Sequence, residues 1–162
     1  SVICADYSLY RAIQEKNKDI VKNYLEDARM YLQNAARLSA EVQLEDYYGN
    51  IAAMVNILAT DLTSDVDQKR ILLQKAVDFA KQAVDKNEQN FAYLDTLARA
   101  EAKLGELTQN LSLMKDAAHH IDKAEWHAFF LRSYRANEVQ RAVSSMALYI
   151  EEKIEEMKEK SS

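Results

Sequence analysis

Proline is absent from this chain, glycine occurs only at Gly49 and Gly105, and Cys4 is the sole cysteine. Each scarcity excludes something. Sheets need turn residues every few positions, and this chain has almost none. Two isolated glycines cannot build the Gly-rich loops that cradle phosphates or dinucleotides. One cysteine allows no internal disulfide. No apolar run approaches the ~18 residues of a membrane span. No charged-then-apolar leader pattern opens the chain. A basic block is missing too: 21 Lys and Arg are interleaved with 26 Asp and Glu, for a net charge of −5. That argues against a nucleic-acid surface, which needs clustered cations to neutralise phosphates.

What remains is rich in Ala, Leu, Glu, Lys, Gln and Arg, residues that favour helix. With 48% apolar and 29% charged residues, the chain reads as a globular all-α protein. Its 162 residues suit a single helical domain over 1–162. Asp6 is a candidate cap for a first helix. Tyr10, Ile13, Ile20, Tyr24, Tyr31 and Leu38 recur at three, four and seven residues and so share one face. This stretch is either one long helix to about Ala40 or two helices jointed near Asn17. A further helix is expected from about Leu44 to Leu62, then a loop at TSDVDQ, then a helix from about Asp67 to Lys86. Asn90 can cap the next helix, from Phe91 to a stop at Gly105, where a left-handed residue would suit a helix end. Another runs from Glu106 to about His120. Asp122 and Glu125 fit a capping box that starts a last helix, with a joint near 135–137.

Residues 76–84 and 110–118 correspond at an offset of 34 residues. In the unit beginning at Phe91, Leu94 and Leu97 are large, Ala98 is small, and Gly105 sits at the turn. Met114 and Ala117 repeat the large-then-small order. Val55, Leu58, Ala59 and Leu62 give a similar pattern one unit earlier. On these residues, 51–121 resembles two tetratricopeptide-repeat units, the first with a long turn. Glu101 and Asn110 depart from that family's pattern, which has tyrosine or leucine and alanine there. The resemblance implies antiparallel helix pairs in a right-handed superhelix or a closely related bundle, followed by C-terminal helices over 122–162. The run from Ile57 to Gly105 is also similar to a helical segment of bacterial thioredoxin-family envelope proteins. It has no CxxC, so only a lean toward an extracytoplasmic setting follows.

In a tetratricopeptide-like pair the first helix lines a groove. Asp95, Arg99 and Lys103 lie four apart, opposite Leu94 and Leu97, where cations can clamp a partner's carboxylate. The plainer account is a solvated face with an Asp95–Arg99 pair. Trp126, Phe129, Phe130 and Tyr134 form the densest aromatic cluster. Trp126, Phe129 and Phe130 at this spacing read as core, with a partner surface through Trp126 and Tyr134 as the alternative. His119, His120 and His127 would share a face only on an unbroken helix, and no metal-ligand motif is present, so no metal or cofactor is expected. No catalytic motif appears. The expectation is a non-catalytic domain that binds a protein or peptide through Asp95, Arg99, Lys103, Trp126 and Tyr134. Two alternatives stand beside it. One is a helical bundle that senses or carries a small ligand. The other is a structural module whose long terminal helices make a homo-oligomer.

Overall fold

Glu15 and Asn17 decide the first open question, because together they break the N-terminal stretch in two. The Asn17 side chain accepts hydrogen bonds from the backbone of Asp19 and Ile20, while a Glu15 carboxylate oxygen accepts from Lys16 and Asn17. Those two backbone donors hold the Glu15 carboxyl below its usual range. The computed structural model describes residues 1–130 and 136–160. Among them the chain is all-α, with no strand. Its helices are α1 (Val2–Gln14), α2 (Lys18–Leu38), α3 (Asp46–Ala59), α4 (Val66–Lys86), α5 (Phe91–Thr108), α6 (Leu111–Phe129) and α7 (Ala136–Lys160), with short 3-10 turns at Ala40–Leu44 and Thr60–Leu62. No helix among the described residues is long and apolar enough to cross a membrane.

Several expected boundaries move, each for a local reason. Asp6 is not a cap. Ser1 accepts from the Cys4 amide at the start of α1, and Asp6 lies inside the helix, accepting a hydrogen bond from the Tyr47 hydroxyl on α3. Gly105 does not stop α5. The helix runs on to Thr108 and is ended by Gln109 in the left-handed conformation at φ 54°, with the Asn110 amide closing back on the Gly105 carbonyl at 2.8 Å. Asn110 departs from the repeat pattern because it caps α6, its side chain accepting from the Leu113 amide at 3.1 Å. Asp122 and Glu125 start nothing, since α6 passes through them unbroken.

The chain forms two compact units, Ser1–Lys86 and Asn87–Ser162. In the first, Ala5, Leu9 and Ala12 of α1 meet Leu25, Ala28, Leu32 and Ala35 of α2, with Ile51, Ala52, Val55 and Ala59 of α3 completing the core. Alternating small and large residues let these helices approach closely and interlock. The expected stripe of larger residues is not the core: Tyr10, Ile13, Ile20 and Leu38 are exposed, and Tyr24 and Tyr31 are half-buried. Arg11 donates to the Tyr7 hydroxyl at 3.2 Å and lies 5.2 Å from the Tyr24 ring centroid, so part of that stripe is held by a cation–π contact between α1 and α2. The second unit buries Leu94, Leu97 and Ala98 of α5, Met114, Ala117 and Ile121 of α6, and Val143, Ile150 and Ile154 of α7. α3 packs on α4, and α5 on α6.

Both glycines serve these helix pairs. A Cβ on Gly49 would lie 2.8 Å from the Phe79 carbonyl oxygen of α4, whereas on Gly105 it would lie 2.9 Å from the Met114 sulfur. Alanine gains ~1 kcal/mol of helix propensity over glycine at either position. The α4 backbone cannot give way, whereas at Gly105 the buried Met114 side chain has to shift and the Asn110 carbonyl oxygen, 3.2 Å away, adds a second close contact. Urea titration should therefore find Gly49→Ala destabilised by about 1 kcal/mol net, after an overpacking cost of ~1–3 kcal/mol. Gly105→Ala should be destabilised by about 0.5 kcal/mol, less than Gly49→Ala, because a side chain rather than a facing helix backbone takes most of the strain.

Candidate functional site

Asp95, Arg99, Lys103 and Trp126 belong to the second unit. Ala92, Asp95, Arg99, Lys103 and Glu106 form one half-buried stripe of α5, because Tyr93, Thr96, Ala100 and Glu101 are buried as well as the leucine face. The charges on this stripe are engaged. Arg99 Nε donates to Asp95 Oδ2 at 2.8 Å, and the other Asp95 oxygen is buried without a hydrogen-bond partner. Lys103 also has a partner. An Arg99 already holding Asp95 is a weaker clamp for an incoming carboxylate than a free one, since binding would first have to break that pair.

At the C-terminal end of α5, Glu106 accepts from the Tyr149 hydroxyl of α7 and lies 3.5 Å from Lys153 Nζ. Burial, reinforced by the hydrogen bond to the Glu106 carboxylate, pushes the Tyr149 hydroxyl up to about 12. The clasp fixes α7 against α5. Deeper in the same unit, the Glu101 carboxylate is 1% exposed and contacts His120 Nδ1 of α6 at 2.7 Å. Sequence reading marked Glu101 only as a departure from a repeat pattern. The available signal was a carboxylate in an apolar stripe, Leu94, Leu97, Ala98, Glu101 and Leu104, which demands a buried partner on the facing helix. With His120 committed to Glu101, the three histidines do not gather, and no group of three or more His, Cys, Asp or Glu among the described residues could hold a metal ion.

The aromatic cluster is where the expectation fails most clearly. Trp126, Phe129 and Phe130 are not core: they are 66%, 71% and 59% exposed. The cause is the uninterrupted α6. Its buried stripe is Met114, Ala117, Ile121, Ala124 and Ala128, at alternating spacings of three and four. Trp126 stands two residues beyond a stripe position, about 200° around the helix, on the opposite side, and Phe130 is the residue that ends α6. A helix restarting at Asp122 would have reset that phase. Trp126 and Phe130 meet edge to face with centroids 5.1 Å apart, and Phe129 and Phe130 at 5.4 Å, so the rings form one contiguous surface. Beside Phe129, a hollow of about 290 Å³ lies between α6 and α7, lined by Glu125, Ala128, Gln140 and Ser144. Gln140 Nε2 donates to the Ala128 carbonyl at 3.0 Å across its base. Trp126 is engaged with Phe130 rather than with the α5 charges. Tyr134 lies outside the described residues. No family model matches this chain, and no curated protein or solved structure resembles it at a significant level.

Proposed function

We propose that this protein is a non-catalytic binding module that docks an apolar segment of a partner protein on Trp126, Phe129 and Phe130. The single observation supporting this reading is that three large aromatic side chains, in mutual contact, stay exposed at the end of α6. Exposed apolar residues are ordinary when scattered; gathered aromatics mark interaction surfaces, because they offer large contact area at little entropic cost. The adjoining hollow gives an incoming side chain a place to enter. The tetratricopeptide-like resemblance agrees with peptide or protein binding, although the contact surface sits on α6 rather than on the α5 charges.

Trp126 is the only tryptophan, so its fluorescence reports on this surface alone. The experiment captures partners from a lysate of the source organism with the native chain, a Phe129→Ser plus Phe130→Ser variant, and an Arg99→Glu plus Lys103→Glu variant. Each captured protein is then purified and titrated against native chain. The expected result is a partner that shifts Trp126 emission to the blue and binds the aromatic variant at least tenfold more weakly, a loss equivalent to about 1.4 kcal/mol. A partner lost only in the Arg99/Lys103 variant would return the surface to α5. A concentration-dependent dimer that disappears in the aromatic variant would replace the adaptor reading with self-association.

A further inference from the structure

The first unit contains a cleft of about 380 Å³ between α2, α3 and α4. Its floor is apolar, made by the buried Leu32, Ala52 and Val55. Tyr48 and Phe79 also line it, in edge-to-face contact with centroids 6.2 Å apart. Two cations line the same cleft, Arg29 on α2 and Lys75 on α4. Among the described residues neither makes an ion pair or a hydrogen bond. Lys75 is three residues from Asp78, a spacing at which opposite charges pair readily. Asp78 accepts from Gln74 Nε2 at 3.0 Å and makes no ion pair with Lys75 among the described residues, and both Lys75 and Asp78 are exposed at the mouth of the cleft. The charged lining is thus two cations against one carboxylate, above an apolar floor.

We propose that this cleft binds a small organic monocarboxylate with an aromatic or branched apolar body. The body would rest on Leu32, Ala52 and Val55 against the Tyr48 and Phe79 rings, with the carboxylate between Arg29 and Lys75. The volume suits a small molecule, at the lower end of the range for such sites. A guanidinium fork matches a carboxylate bidentately, and the half-buried setting of Arg29 strengthens that contact over one in open water. Asp78 selects against more highly charged anions, because a second negative charge at the mouth would meet its carboxylate. The site rests on the first unit alone and does not depend on the aromatic surface of α6.

The test is calorimetric titration of the full chain, at low salt, with 4-phenylbutyrate and with its neutral amide. The carboxylate should bind about tenfold more tightly than the amide, the increment of one charge-assisted contact. Arg29→Gln plus Lys75→Gln, with helix content checked by circular dichroism, should erase that preference. Asp78→Asn should strengthen carboxylate binding, and Phe129→Ser plus Phe130→Ser should leave it unchanged. Absence of 4-phenylbutyrate binding, equal affinity for acid and amide, or an intact preference in the Arg29/Lys75 variant would each overturn the proposal. Loss of binding in the Phe129/Phe130 variant would overturn it too, by placing the ligand on α6.

Discussion

Replacing His120 with alanine is expected to destabilise the protein by about 2 kcal/mol, within the range for leaving a buried polar group without its hydrogen-bond partner. Glu101 is 1% exposed, and His120 Nδ1 is its hydrogen-bond partner at 2.7 Å. Removing the ring leaves the Glu101 carboxyl inside an apolar helix pair with nothing to bond. His120 is itself 22% exposed, so some water can follow the deletion inward and limit the loss. The companion change separates this from ordinary loss of packing. Glu101→Leu combined with His120→Ala removes the stranded carboxyl and places a leucine in the stripe of Leu94, Leu97 and Leu104. That double variant should recover to within about 1 kcal/mol of the native protein, because replacing both partners of a buried hydrogen bond by apolar groups is often nearly neutral. Urea unfolding of the variants in a double-mutant cycle measures both quantities. A His120→Ala loss below about 0.5 kcal/mol, the usual scatter of a surface substitution, would show that the contact carries no stability.

The same residues show what was legible in the sequence. Helix content was legible, because missing proline and scarce glycine leave no way to turn a sheet. Capping by Asn90 was legible too, since its side chain accepts from the first amides of α5, whereas the break at Asn17 was only one of two readings the spacing allowed. Phase along the helices was harder. The capping-box pattern at Asp122 and Glu125 is a local signal, and a three-and-four stripe from Met114 to Ala128 outweighs it, because tertiary packing of an amphipathic face dominates over propensity. That single error turned Trp126, Phe129 and Phe130 inward. Gly105 misled in a related way: its value lies in the close approach of Met114 rather than in a left-handed turn, which Gln109 supplies. The Glu101–His120 contact spans 19 residues, and the cleft between α2, α3 and α4 joins positions from Arg29 to Phe79. Neither has a one-dimensional spacing to read.

Leu25→Ala should cost roughly 3 kcal/mol, within the 2–5 kcal/mol typical of a buried leucine truncation, whereas Leu38→Ala should change stability by less than about 0.5 kcal/mol. By size and hydropathy the two side chains are identical, and Leu38 belonged to the stripe that the spacing of large apolar residues singles out. The structure inverts their importance: Leu25 is 1% exposed and Leu38 is 84% exposed. The reason is the company each keeps. Leu25 stands at the start of a stripe with Ala28, Leu32 and Ala35, and opposite it Ala5, Leu9 and Ala12 offer small residues into which a leucine can fit. Tyrosine and isoleucine at every position of a face would hold two helices apart; alanine at alternate positions lets them close, so the face with less apolar bulk becomes the better buried one. Truncating Leu25 then leaves a cavity bounded by helix backbones that cannot collapse into it, and the cavity adds to the lost transfer free energy. Paired urea titrations of the two variants decide the matter. Equal losses would mean that α1 and α2 meet through the tyrosine and isoleucine stripe, and the core assigned to the first unit would be wrong.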